Sequence, residues 1–298
     1  MLNTITALAA LLTPIEAETV PLPVRLPESA HIELMLTKSD RSDGGEWRQT
    51  DFRYDVILEA PDEDDMRTMT WRLQEVNSGD AGAFSLSDFD VVMTVDVNLT
   101  PIRVENFEAI LVALRRVMEA SGEHGLESGM AALAAMTPEG AALFARDATL
   151  IAQGQGTELY VGQDHMYEVE GALPWGGGSM TMLGIYRLEN VDVAAGRAVV
   201  RWEMTIDPES LLAVLPSMTS ALMSAGNADE EEQEDVLADM DEAIAGARLE
   251  NRRECDYVID LATGLAVEID CVFRVLIEAG GERRERESLV RATQTLIR

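Results

Sequence analysis

The sequence predicts an α+β protein: a large curved antiparallel β-sheet, half-barrel-like, with several helices packed on one side. Three observations carry this. Long period-2 segments open the chain and return in its second half. Helical periodicity separates them, first between Glu105 and Gly154 and again from Pro208. Two strand pairs are joined by three-residue loops ending in glycine, Ala194-Ala195-Gly196 and Ala262-Thr263-Gly264, where the last residue must be left-handed.

The chain begins "MLNTITALAALLTPIEAE". Its apolar core, Ile5 to Leu12, is too short to span a bilayer, and Pro14 and Ala17 follow as at a cleavage site. Residues 1–17 therefore read as a signal peptide, but no Lys or Arg precedes the core, and a short N-terminal helix or a late-annotated start is the alternative. Residues 18–30 contain Pro21, Pro23 and Pro27 and read as an extended arm. Residues 31–298 are expected to form a single α+β domain, with a subdivision near 155–175 as the alternative.

Strands come first. Phe52, Tyr54, Val56 and Leu58 share one face, with Arg53, Asp55 and Glu59 on the other. Met69, Trp71 and Leu73 alternate with Thr70, Arg72 and Gln74. Phe89, Val91, Met93, Val95 and Val97 form a third apolar face. One-sided alternation of this kind belongs to antiparallel sheets with one wet face.

The period then changes. Phe107, Ile110, Leu111, Leu114, Val117 and Met118 make Glu105–Ala120 an amphipathic helix. "MAALAAM" reads as a short helix, and Thr137-Pro138-Glu139 starts another that stops near Gly154. Strands resume at "SMTMLGIYRLENV" and "RAVVRWEMTID", where Ala198, Val200, Trp202, Met204 and Ile206 share a face. Pro208 opens an apolar helix interrupted at Pro216, and Val236, Leu237, Met240 and Ile244 mark another after "NADEEEQED". The final segment, "ERRERESLVRATQTLI", alternates Arg and Glu as an exposed edge strand would.

The two cysteines of the chain end the segment "CDYVIDLATGLAVEIDC". Read as a hairpin with Leu261 opposite Leu265, it sets Ile259 against Val267, Tyr257 against Ile269 and Cys255 against Cys271. Directly opposed Cα atoms lie roughly 4.5–5.5 Å apart, within disulfide reach. A Cys255–Cys271 disulfide is the expectation, with two buried thiols as the alternative. A disulfide implies an oxidising compartment, so the protein is expected to be periplasmic or secreted.

The net charge of −31 excludes nucleic acid and anionic membrane surfaces as natural partners. No apolar run reaches transmembrane length. His31, His124 and His165 are scattered without metal-ligand spacing. Ser179 follows three glycines but lacks the G-x-S-x-G elbow. Gly154-Gln155-Gly156 follows a helix and reads as its stop. The acidic run lacks the calcium-loop spacing. No catalytic residue, metal site or cofactor is expected.

Fifteen methionines are present, many in apolar elements. Trp71, Met93, Trp202 and Met204 on strand faces, with Met218 and Met223 on the helix above, are the candidate lining of an apolar or lipid-like ligand site. Ordinary core packing is the competing reading of the same residues.

Gly196-Arg197-Ala198-Val199-Val200 and the hairpin Tyr257 to Leu265, separated by a helical insert, resemble a pattern in secreted bacterial β-rich proteins of unknown function. The order of elements is also similar to the lipoprotein-carrier half-barrel fold of the LolA and LppX type. That resemblance implies non-enzymatic binding of an apolar ligand between sheet and helices. The alternative is a cell-envelope protein that interacts through its surface without a ligand cavity.

Overall fold

The computed structural model describes residues 19–78, 90–121, 133, 136–172, 179–225, 247–279 and 281–297. Strands dominate, at 60%, and eleven of them form one antiparallel sheet that does not close. Strand β1 (Thr19–Pro21) lies apart from it. The first meander is β2 (Ala30–Ser42), β3 (Arg48–Leu58), β4 (Arg67–Ser78), β5 (Val91–Val95) and β6 (Pro101–Val104). Helices α1 (Phe107–Ser121), α2 (Pro138–Phe144) and α3 (Arg146–Gln153) follow, then β7 (Glu158–Tyr160), which pairs with β1.

The second meander is β8 (Asp164–Ala172), β9 (Ser179–Asp192), β10 (Arg197–Ile206), β11 (Arg248–Asp260), β12 (Ala266–Ala279) and β13 (Glu282–Leu296). Helix α4 (Pro208–Ala225) leaves the sheet after β10. The meanders join where β13 pairs with β2, so the strand order runs β6-β5-β4-β3-β2-β13-β12-β11-β10-β9-β8.

Register aligns the apolar alternation of neighbouring strands into rows. Val200, Tyr257, Ile269, Ala292, Leu36 and Phe52 stand opposite one another across six strands, and all are buried. Phe107, Ile110 and Leu114 of α1 and Ala148, Leu150 and Ile151 of α3 join the same core. Burying a side chain of this size is worth roughly 1.5–3 kcal/mol. The proline arm seals one side: Leu22 exchanges backbone hydrogen bonds with Thr157 and Gly156, and Arg25 N donates to Thr263 O.

Several expectations are corrected. The Arg/Glu strand β13 is not an edge, because β12 and β2 flank it. Its charges alternate because they pair across strands: Glu287 with Arg41 and Arg274, and Arg286 with Asp40. Ile259 faces Ala266 instead of Val267, since the register shifts beside Val258. Leu261 and Leu265 do not pair. Instead Asp260 N donates to Leu265 O, and Asp260 Oδ1 accepts from the backbone N–H of Ala262 and Thr263. Gly264 does hold the left-handed position, at φ 72°.

Val97 leaves the apolar face of β5 and is 56% exposed. Asp96 ends that strand, its carboxylate accepting from Asn98 N and Thr100 N. Helix α1 starts two residues late because Glu105 N still donates to Val92 O in the sheet. Thr137 caps α2 as expected, accepting from Gly140 N. The helix then breaks at Ala145, with ψ 49°, before α3 runs to Gly154. Pro216 does not interrupt α4. Phe89, His124, most of "MAALAAM", the residues between Ala172 and Ser179, and the acidic run with Val236 to Ile244 lie outside the described residues.

Candidate functional site

The two ends of the sheet differ. At β6 the edge is covered, since α2 packs against it and Arg103 reaches Glu139 at 3.8 Å. At β8 no third strand pairs on the outside among the described residues. An antiparallel edge strand turns about half its backbone N–H and C=O groups away from its one neighbour, where they can pair with another chain.

Strand β8 reads "DHMYEVEGA". His165, Tyr167 and Val169 turn toward the inner face, while Asp164, Met166, Glu168 and Glu170 share the outer face. Met166 is 78% exposed in this otherwise acidic row. Next to it on β9 are Ile185, its direct partner, and Leu183, which is 45% exposed. Together they border a shallow trough of about 410 Å³ whose other wall is Glu203 and Thr205 of β10. Tyr167, Gly184 and Met204 supply its floor.

The floor is fixed by close packing beneath it. Tyr167 lies over Gly184, where a Cβ would come within 2.1 Å of the phenol ring. Its hydroxyl accepts a hydrogen bond from the Trp202 indole N–H at 2.8 Å. Tyr186 stacks on it at 5.2 Å between ring centroids. Tyr160 N donates to His165 Nε2 at 3.0 Å, so this histidine is a satisfied structural residue.

The charges around the trough are unevenly matched. Burial works against the Glu203 carboxylate, but hydrogen bonds from Arg201 and Arg252 outweigh it and hold its pKa below the usual value. Arg187 is taken by Asp164 at 2.6 Å. Glu168 and Glu170 make no ion pair with any described residue, so the rim keeps uncompensated negative charge beside the apolar wall. Among the described residues no group of three or more His, Cys, Asp or Glu could hold a metal ion.

The candidate ligand residues fall in two separate places. Trp71 and Met93 sit on neighbouring strands at one end, buried in the core. Trp202 and Met204 sit on β10, and five strands lie between β4 and β10. At about 4.8 Å per strand that is roughly 29 Å measured along the curved sheet, although all four belong to one core. Only Met204 of the four reaches the trough. Met218 and Met223 belong to α4, but their side chains lie outside the described residues. The trough itself had a sequence signal: Met166 is the one large apolar residue in its register of β8. Alternation alone does not single it out, because scattered exposed apolar residues are ordinary.

Cys255 and Cys271 are direct cross-strand partners, with Cα atoms 4.1 Å apart and sulfurs at the disulfide distance of 2.07 Å. Both are buried against the row that contains Trp202. No helix among the described residues is long and apolar enough to cross a membrane.

No family model matches this chain, and no curated protein matches its sequence. Among solved structures, one described as lipid-protein interactions in lipovitellin aligns at TM-score 0.43 and 7% identity over 91% of this chain. This chain spans only 25% of that one. The hypothetical lipoprotein YmcC from Escherichia coli K12 aligns at TM-score 0.27 and 13% identity, over 90% of this chain and 84% of its own. DynF, from the dynemicin biosynthesis pathway of Micromonospora chersina, aligns at 0.23 and 8%, over 94% and 85%. Likenesses this distant carry no argument about function.

Proposed function

We propose that this chain is a non-enzymatic binding protein of the cell envelope that takes an apolar, lipid-like group or the apolar side chains of another protein. The observation that carries this reading is the trough beside β8. It is about 410 Å³, bordered by exposed Met166 and Leu183, and sits at the β8 edge, where no further described strand pairs. Pockets of a few hundred Å³ with apolar walls are the usual seats of small apolar ligands. We place the site here because Met166 and Leu183 are exposed, whereas Trp71, Met93 and Trp202 are buried.

The extracytoplasmic part of the proposal draws on the Cys255–Cys271 pair, since disulfides persist in oxidising compartments. It includes removal of residues 1–17, so that the mature chain begins at Glu18, the proline arm and a single domain over 31–298. N-terminal sequencing of exported protein tests this; an intact Met1 in a cytoplasmic fraction would overturn it.

Titration with a fluorescent fatty acid tests the trough. Saturable binding that Met166→Asp weakens at least tenfold, with an unchanged circular dichroism spectrum, is the expected result. Trp202→Ala should instead destabilise the fold by about 3–5 kcal/mol, as emptied core sites do. Binding that is indifferent to Met166→Asp and Leu183→Asp would move the site elsewhere.

A further inference from the structure

We propose that β8 is a docking strand for another protein: an extended basic and apolar segment adds to the sheet beside Asp164–Ala172 as a twelfth, antiparallel strand. This rests on the trough reading and names its partner class. Three features of the edge converge. The outward backbone groups of β8 meet no other strand among the described residues. Its outer face carries Met166 beside the trough, where an incoming side chain can be buried. Glu168 and Glu170 stand along the same face with no ion partner among the described residues.

A second copy of this chain is a poor occupant. Antiparallel pairing of β8 with itself sets carboxylates opposite or diagonal to carboxylates, and like charges across strands destabilise. Each copy also brings a net charge of −31. A basic strand removes both objections. Running antiparallel, it would place a Lys or Arg opposite Glu170, another opposite Glu168 and an apolar side chain opposite Met166, at alternate positions. The intervening residues would face Val169 and Tyr167 on the inner side and should be β-branched. Main-chain hydrogen bonds supply affinity in such complexes, and alternate side chains supply specificity.

The test uses the full mature chain and a fluorescein-labelled peptide of the order Lys-Val-Lys-Val-Leu-Thr, read by anisotropy. Saturable binding that weakens with added salt is expected. Exchanging the two lysines for glutamates should weaken it roughly 25-fold, at about fivefold for each charge pair. The double variant Glu168→Lys with Glu170→Lys should reverse that preference; both side chains are exposed, so the fold should stand. A peptide N-methylated at alternate backbone nitrogens keeps its charge but loses its donors, and should not bind. Equal binding of the N-methylated peptide would overturn strand addition. So would a dimer in sedimentation that Glu168→Lys with Glu170→Lys alters. If the fatty acid binds at Met166 and the peptide does not, the docking strand is wrong while the trough stands. If neither binds, both fall.

Discussion

The hydroxyl of Tyr257, in the middle of the sheet, donates a hydrogen bond of 2.9 Å to the carbonyl oxygen of Leu150 on α3. The Tyr257 side chain is wholly buried, and burial lifts its phenol pKa well above the ordinary value, so it remains a donor. Gly154, at the end of the same helix, lies on its ring: a Cβ there would stand 2.4 Å from the ring carbon. This bond and this close approach add to the apolar contacts of α3 in fixing it on the sheet.

Tyr257→Phe should cost about 1–2 kcal/mol, because it strands a buried carbonyl without its partner. Gly154→Ala should cost about 1–3 kcal/mol, since the ring is held by its neighbours and cannot yield freely. Urea unfolding midpoints measure both. A neutral Gly154→Ala would show that the helix end does not rest on the ring.

Cys255 and Cys271 should resist alkylation in protein prepared from an oxidising compartment until a reductant is added. Intact mass before and after treatment reads this directly. Cys255→Ala with Cys271→Ala should lower stability by about 3 kcal/mol on the chain-entropy account of a loop this long. Two freely alkylated thiols would contradict both the bond and the compartment.

Lys38 is the only lysine of the chain, and it is partly buried. Its ammonium pairs with Asp147 of α3 at 2.5 Å and lies 5.1 Å from the centre of the Phe52 ring. Its side chain is 23% exposed. An amine-reactive ester should therefore modify the N-terminus quickly and Lys38 slowly in the native state. Peptide mapping gives the two rates, and unfolding in urea should bring them together. Rapid native labelling at Lys38 would mean that α3 opens readily.

Glu287 sits between Arg41 and Arg274. Burial raises its pKa, but the hydrogen bonds from the two guanidinium groups outweigh this and leave it below the usual value. The folded carboxyl thus binds a proton less readily than the unfolded one. Its stabilisation is complete above the unfolded pKa of about 4.3 and is lost as pH falls through the folded value. Glu287→Gln should cost about 1 kcal/mol or less at neutral pH and remove part of the decline in melting temperature below pH 5. An unchanged acid profile would assign that decline to other carboxylates.

The sequence alone determined what depends on near neighbours. Alternation placed Phe52, Tyr54, Val56 and Leu58 on one face because successive strand side chains point to opposite sides. The glycine at 264 marked its turn, and counting outward from it put Cys255 opposite Cys271 despite the shift beside Val258. Thr137 announced a helix start through its own cap. Other features are decided by residues far apart in the chain, and only the tertiary structure holds them. Arg/Glu alternation looks the same whether it faces water at an edge or Arg41 and Arg274 on flanking strands, so β13 could not be placed at the centre from its sequence. Ala145 breaks a helix without any Gly or Pro to mark it. Trp71 and Trp202 look alike as apolar strand residues, yet strand order puts them six strands apart in the same core and leaves Met166 on a strand with one neighbour among the described residues. Face is a local property of a strand; neighbour and edge belong to the sheet.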